Sequence, residues 1–288
     1  MKAWLLAARP KTLSAAVVPV LVGSALASHE PPGVTWWVFF CTLAASLLIQ
    51  VATNLINDAM DFKKGADTGE RLGPVRVTQA GLISAERVLQ MSWICLFLAA
   101  ILGILLLNRG GWPILVIGLA SILAAYGYTG GPYPLAYHGL GELFVILFFG
   151  FIAVGGTFYL HSLQLTRSAL LAGFATGALA AVLIVINNLR DVAGDRTSNK
   201  RTLAVRFGER FARVEVAFFA LVPFVAIGWL AWMRTQWGLL MPLAALPLAL
   251  LVVVRVQRSR GAELNRCLAI AGGLQWVFGI LFVIGSLV

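Results

Sequence analysis

The chain has 288 residues, of which 60% are hydrophobic and 12% charged, and its formal net charge is +10. A soluble domain carries about a quarter charged residues, so this composition excludes an ordinary soluble protein and indicates a membrane protein. The positive charge does not indicate nucleic acid, because the basic residues lie beside the ends of apolar segments, where attraction to anionic membrane lipid explains most of them.

Nine stretches without Asp, Glu, Lys or Arg follow one another along the chain, and each has 18 residues or more. A hydrocarbon core of about 30 Å needs about 20 residues of helix, so each stretch is predicted to span the membrane. A membrane barrel would instead show alternating segments of about 10 residues. The predicted fold is an all-α bundle of nine transmembrane helices, forming a single domain over residues 1–288. The stretches are Thr12–His29, Pro31–Asn57, Val88–Asn108, Gly110–Gly141, Leu143–Thr166, Ser168–Leu189, Val216–Met233, Thr235–Val254 and Cys267–Val288.

The basic residues are distributed unevenly between the two sides of this bundle. Of the 22 Lys and Arg residues, Arg109, Arg167 and Arg234 follow the third, fifth and seventh stretches, and the other 19 lie on the opposite side. The positive-inside rule therefore places the N-terminus in the cytoplasm and the C-terminus outside. His29 and His161 fall in outer loops under this topology, and we expect both at the surface.

The end of the second stretch projects a polar patch toward the cytoplasm. Asn54, Asn57, Asp58 and Asp61 share one face of the predicted helix, which Gly65 is predicted to end. Amides and carboxylates at the hydrocarbon edge are costly, so they are tolerated mainly where they face a cavity and have a function there.

The end of the sixth stretch repeats this patch. Asp191 and Asp195 are separated by one helical turn, and Asn187 and Asn188 precede them on the same face. Carboxylate and amide oxygens are hard ligands that suit Mg²⁺ together with water and substrate phosphate oxygens. Because basic residues follow both patches, the pair predicts a diphosphate held between Mg²⁺ ions.

Two other interpretations remain open from the residues alone. Each patch could be a solvated cytoplasmic boundary, although such a boundary does not explain why the same residue pattern occurs twice. A cation-coupled transporter also uses intramembrane carboxylates, but transporters usually place them near the bilayer midplane on interrupted helices. Here both patches lie at the cytoplasmic ends of their helices.

The chain resembles the intramembrane aromatic prenyltransferases of the UbiA superfamily over nearly its whole length, and within that family it is most similar to the naphthoate-accepting branch. The spacing from Asp61 to the next acid, at Asp67 rather than four residues on, favours that branch, whereas Asn199 stands before Lys200 where the branch usually has Gly. The stretches that carry the resemblance are Arg9–Leu13, Asn57–Asp67, Arg71–Arg76, Tyr126–Tyr137, Gly139–Glu142, Asn187–Asp191 and Thr202–Arg206.

The resemblance implies a nine-helix, Mg²⁺-dependent enzyme of the bacterial inner membrane, with its active site toward the cytoplasm. Its substrates would be a polyprenyl diphosphate and an aromatic acceptor, 1,4-dihydroxy-2-naphthoate or else another acceptor such as 4-hydroxybenzoate. With the naphthoate as acceptor, the reaction would release diphosphate and CO₂ and give demethylmenaquinol, a step of menaquinone biosynthesis. The implied metal ligands are Asn57, Asp61, Asp191 and Asp195, with Asp67 and Asn188 in support.

The remaining site residues are hypotheses about substrate binding and catalysis. Arg9 or Lys11 would bind the acceptor carboxylate, although anchoring to lipid explains these two cations equally well. Asp58, Tyr126 and Tyr128 are the catalytic candidates, and the two tyrosines would stabilise an allylic cation unless they are residues of the aromatic belt. The other expected substrate-binding residues are Asn54, Lys63, Arg71, Arg76, Asn187, Arg190, Lys200 and Arg206.

Overall fold

The computed structural model describes residues 2–65 and 72–288, and over those ranges all of its regular secondary structure is helical. The predictions for Asp67 and Arg71 lie outside the described residues. The helices are α1 (Lys2–Ala8), α2 (Ser14–Ala27), α3 (Trp36–Lys63), α4 (Ala85–Gly110), α5 (Trp112–Gly127), α6 (Gly141–Val145), α7 (Ala153–Ser162), α8 (Arg167–Arg190), α9 (Val192–Thr197), α10 (Leu203–Phe207), α11 (Glu209–Arg234), α12 (Leu246–Arg258) and α13 (Leu264–Leu287).

Two irregular segments extend these helices into longer rods. A π-helical segment, Ile146–Ile152, joins α6 to α7, and a 3₁₀ segment, Trp237–Ala245, leads into α12. Single 3₁₀ turns at Pro10–Thr12, Leu135–His138 and Gly261–Glu263 lie in the connections.

Seven helices of the described residues are long and apolar enough to cross a membrane. The segments α1 and α2 pass the same test together, but the chain bends by 50° between them, and α5 is apolar but shorter. The all-helical membrane class is therefore as predicted, whereas the count of nine spans and the sides of the termini stay predictions. The seven are Trp36–Lys63, Ala85–Gly110, Gly141–Ser162, Arg167–Arg190, Glu209–Arg234, Trp237–Arg258 and Gly261–Ser286.

The bend between α1 and α2 is fixed by a turn that is tied to α3. Arg9 precedes Pro10 and takes a left-handed conformation with φ of 51°, so the helix cannot continue through it. The Asn54 amide donates to the carbonyl of Ala8 at 2.9 Å and to the Thr12 hydroxyl oxygen at 3.0 Å. These bonds place the Arg9 turn against the polar end of α3.

The core of the bundle is built around α8, which packs against α11, α13, α2 and the π-helical segment. Gly150 in that segment meets α8 at the backbone, because a Cβ added there would lie 2.5 Å from the carbonyl oxygen of Gly173. Large apolar side chains remain exposed on the outside of the bundle, as a lipid-facing surface requires. Examples are Trp36, Phe40, Phe97, Leu123 and Trp229.

The prediction for His161, at the end of the bundle opposite to the acidic patches, is wrong. His161 is completely buried, whereas we expected it at the surface. Its ring nitrogens lie 3.0 Å from the Ser24 hydroxyl and 3.2 Å from the backbone nitrogen of Thr35, and Arg109 donates to its carbonyl oxygen. The sequence did not reveal this burial because the partners come from three distant parts of the chain.

Candidate active site

A cavity of about 470 Å³ lies among α3, α4, α5, the rod from α6 to α7, and α8. Most of its wall is apolar, with contributions from residues such as Ile104, Leu119 and Phe148. Five of the predicted site residues form the polar end of its wall, namely Arg9, Asn54, Asn57, Tyr128 and Asn187. The cavity is therefore suited to an amphipathic ligand with a polar head and a long apolar chain.

Asp61, at the end of α3, is the centre of a buried polar network. The guanidinium of Arg76 lies 2.8 Å from its Oδ2, and the Tyr137 hydroxyl donates to its Oδ1 at 3.0 Å. Asp61 and Arg76 are 5% and 7% exposed. A predicted metal ligand and a predicted substrate-binding residue are thus brought together.

Asp58 lies beside Asp61 on α3 but faces the following loop. Its carboxylate accepts hydrogen bonds from the backbone nitrogens of Val77 and Thr78 at 3.2 and 3.1 Å, and from the Thr78 hydroxyl. Arg76, which directly precedes Val77 in this loop, donates a hydrogen bond from its guanidinium to the carbonyl of Asn57 at 2.5 Å. These contacts attach the loop to α3; the catalytic role of Asp58 stays a prediction.

Asn57 is connected to the loop that follows α5. Its side-chain oxygen accepts a hydrogen bond of 2.7 Å from the Thr129 hydroxyl. Lys64 donates to the carbonyl of Thr129 at 2.6 Å and lies 4.8 Å from the centre of the Tyr137 ring. The end of α3 is therefore surrounded by two cations, Lys64 and Arg76.

The second patch begins at the end of α8. Arg190 forms a two-pronged contact with Asp191, with distances of 2.8 and 2.6 Å, and also donates to Asn265 on α13 at 2.7 Å. Arg190 is 4% exposed, whereas the Asp191 side chain is 25% exposed. Asp191 is consequently reachable by a ligand, and Arg190 acts as its buried counter-ion.

Asp195, on the short helix α9, carries an unsatisfied oxygen. Its Oδ1 lies 3.5 Å from the Lys200 ammonium, while its Oδ2 is buried with no hydrogen-bond partner within the described ranges. Burial raises the pKa of Asp195 to about 6, against the opposing effect of Lys200. An unpaired buried carboxylate oxygen fits a cation ligand.

Asn188 is held from a helix that the sequence did not assign to the site. Its amide donates to Oε1 of Glu142 at 2.7 Å, and both residues are buried. Glu142 lies at the start of α6. The bond links the second patch to the rod from α6 to α7.

Four of the predicted residues belong neither to the wall of this cavity nor to the polar contacts of the two patches. Tyr126 stacks on Trp93, with ring centres 5.7 Å apart, and it is not part of the cavity wall. The Lys11, Lys63 and Arg206 side chains are exposed, and Arg206 donates to the carbonyl oxygens of its own and a neighbouring loop. The roles predicted for these residues stay predictions.

Sequence reasoning missed Lys64, Thr129, Tyr137 and Glu142. Tyr137 and Glu142 belong to stretches that carried the family resemblance, and Lys64 directly follows Lys63, so a signal for these three was available. Thr129 lies in one of these stretches as well, Tyr126–Tyr137, but its contact with Asn57 could not be predicted because it depends on how the loop after α5 folds back.

Comparisons with known proteins agree in fold and family. The profile described as "UbiA prenyltransferase family" matches residues 16–285. A 1,4-dihydroxy-2-naphthoate octaprenyltransferase of Haemophilus influenzae is 36% identical, covering 100% of this chain and 96% of that protein. Proteins of the same name from Mycobacterium tuberculosis and Escherichia coli are 35% and 36% identical, covering 90% and 85% of this chain and 88% and 82% of the relatives.

Solved structures share the fold at low sequence identity. The apo structure of a UbiA homolog from Aeropyrum pernix has a TM-score of 0.73 at 14% identity, covering 94% of this chain and 97% of that one. A UbiA homolog from Archaeoglobus fulgidus bound to GPP and Mg²⁺ has a TM-score of 0.69 at 15% identity, covering 99% and 100%.

Proposed function

Because this chain belongs to the UbiA prenyltransferase family, we propose that it transfers a polyprenyl group from polyprenyl diphosphate to 1,4-dihydroxy-2-naphthoate. Diphosphate and CO₂ are released, and the product is the demethylmenaquinol of menaquinone biosynthesis. The curated relatives that are 33 to 36% identical carry the corresponding name, which supports this acceptor over 4-hydroxybenzoate.

The observation that carries this proposal is the cavity with a polar end and an apolar body. Its polar end, beside the Asp61 network and the second patch, suits the diphosphate and the acceptor, and its apolar body suits a polyprenyl chain. The apolar walls also exclude water from an allylic cation, which water would otherwise capture. The Tyr128 ring, which is part of the cavity wall, would stabilise such a cation.

The donor atoms of the two patches fit Mg²⁺. No three carboxylate, imidazole or thiol groups of the described residues come together as ligands of one ion. Mg²⁺ does not need such a cluster, because it usually binds one or two carboxylates and keeps water and substrate phosphate oxygens. The unpaired Oδ2 of Asp195 and the accessible carboxylate of Asp191 suit this coordination. When bound, Mg²⁺ supplies Lewis-acid stabilisation of the negative charge on the diphosphate.

The remaining roles fall to residues of this chain. Asn57 and Asp61 would hold the metal from the first patch, with Asn188 in support of the second. Arg76, Arg190 and Lys200 supply positive charge beside the carboxylates, which lowers the cost of bringing an anion to this site. Asp58 positions Arg76 by holding the loop that carries it.

We also place the protein in the bacterial inner membrane, with the N-terminus and both patches toward the cytoplasm. The bent pair α1 and α2 would serve as one span and α5 as a short one, which gives the nine spans expected from the sequence. The three basic residues Arg109, Arg167 and Arg234 would then lie outside. Reporter fusions at the two termini test this, and reporters active on the same side would contradict it.

The reaction is tested with purified protein, Mg²⁺, a polyprenyl diphosphate and dihydroxynaphthoate. We expect release of diphosphate and formation of a prenylated naphthoquinol, and a lower rate with 4-hydroxybenzoate in a parallel assay. Preference for the benzoate would replace the acceptor and leave the reaction type in place. No transfer to either acceptor, with cation-dependent solute flux in vesicles, would favour a transporter.

A further inference from the structure

The middle of α3 carries a polar side chain that lies within the hydrocarbon depth. Gln50 is 8% exposed and is part of the cavity wall. Its Oε1 is buried, and no residue in the described part of the chain donates a hydrogen bond to it. Burying an amide without partners is unfavourable, so an amide that faces a cavity at this depth is a candidate for ligand binding.

The neighbouring hydroxyl groups on the same face of α3 already have backbone partners. Ser46 donates to the carbonyl of Ala16 at 3.1 Å, and Thr53 donates to the carbonyl of Ile49 at 2.8 Å. Both residues are part of the cavity wall, one turn to either side of Gln50. Gln50 is therefore the group on this part of α3 that is left to bind a donor from a ligand.

The depth of Gln50 relative to the Arg9 turn indicates which ligand this is. Gln50 lies four residues, or about 6 Å, before Asn54 along α3. Asn54 holds the turn that carries Arg9, and Arg9 belongs to the polar end of the same cavity. A cation and a neutral acceptor about one helical turn apart match a carboxylate and a hydroxyl at meta positions of the same aromatic ring.

We propose that Gln50 accepts a hydrogen bond from the 4-hydroxyl of the dihydroxynaphthoate acceptor while Arg9 faces its carboxylate. This inference rests on the proposed function and assigns the depth and orientation of the acceptor ring. It also gives the site a means of selection, because an acid that lacks the hydroxyl leaves the buried amide unpaired.

The test compares two acids on two proteins, by equilibrium binding without a prenyl donor. The acids are 1,4-dihydroxy-2-naphthoate and 1-hydroxy-2-naphthoate, which lacks the 4-hydroxyl, and tryptophan fluorescence reports their binding. We expect the native protein to bind the second acid about 10-fold more weakly, the size of one lost hydrogen bond. Gln50→Met, of similar volume, should bind both acids equally well.

The matched control is Thr42→Val. Thr42 also belongs to the cavity wall and has a buried hydroxyl without a hydrogen-bond partner among the described residues, but it lies about 12 Å from Gln50 along α3. This variant should discriminate between the acids as the native protein does.

Two results would overturn the inference. The first is a native protein that binds both acids equally well, a readout that does not depend on how Gln50→Met folds. The second is a Gln50→Met variant that keeps the native preference for the dihydroxy acid. That result would mean that the Gln50 amide hydrogen-bonds to water and not to the acceptor. Either result is compatible with prenyl transfer, whereas a protein that transfers no prenyl group to any acceptor contradicts the proposed function itself.

Discussion

The guanidinium of Arg76 lies 2.8 Å from the carboxylate of Asp61, and both side chains are almost completely buried. Arg76 also donates to the carbonyl of Asn57, so one cation joins the loop after α3 to the last turns of that helix. Removing one member of a buried ion pair leaves the other charge uncompensated, which commonly costs about 3–5 kcal/mol. Substitutions here must therefore preserve hydrogen bonding if they are to report on function.

Asp61→Asn is the substitution that preserves it. The amide oxygen can still accept from Arg76 while the amide nitrogen donates to the Tyr137 hydroxyl oxygen, so we expect a folded protein whose unfolding temperature is lower than the native one because the charge of Arg76 loses its partner. Prenyl transfer should fall by at least about 100-fold, because the negative charge that binds the metal is lost. Diphosphate release measures the rate, and full activity would show that Asp61 is not a metal ligand.

Asp58→Ala should behave differently, because Asp58 holds the loop. Two backbone nitrogens and one hydroxyl lose their acceptor, so the free energy of unfolding should fall by about 1–3 kcal/mol. The KM for polyprenyl diphosphate should rise as Arg76 loses its position, with a smaller change in kcat. Thermal unfolding and steady-state kinetics measure both effects. A collapse of kcat with unchanged stability would support a catalytic role instead.

The two aromatic candidates at the end of α5 form a matched pair for substitution. Tyr128 is part of the cavity wall, whereas Tyr126 stacks on Trp93 outside it. Tyr128→Leu, which removes the aromatic ring proposed to stabilise the allylic cation, should lower prenyl transfer by about 10-fold, and Tyr126→Leu should stay within about twofold. Equal losses in the two variants would contradict this assignment.

The sequence predicted the parts of this fold that local composition controls. Charge-free stretches located the long helices, and Gly65, with φ of 68°, follows the end of α3 as expected. The bend at Arg9 was not predicted, because it depends on bonds from Asn54 across the bundle. Composition alone counted α5 within a long apolar stretch, whereas its helix has 16 residues.

The sequence predicted which residues form the candidate site better than it predicted which of these residues contact each other. Both acidic patches were located from spacing, and the structure brings Arg76 to Asp61 and Lys200 to Asp195. Which of two adjacent carboxylates faces the loop could not be read from spacing, since Asp58 and Asp61 share one helix face. That distinction depends on where the backbone of Thr78 passes.

The last prediction concerns the pH dependence of metal binding at Asp195. Burial raises its pKa to about 6, so the carboxyl group is increasingly protonated below that pH and can no longer bind a cation. Titration calorimetry with Mg²⁺ should therefore show affinity that is steady above pH 7 and falls steeply below pH 6. Lys200 opposes the rise in the pKa, so Lys200→Met should move this midpoint to higher pH. Lys63→Met, which removes an exposed cation, serves as the control and should leave the midpoint unchanged. A midpoint that Lys200→Met does not move would show that another group controls metal binding in this range.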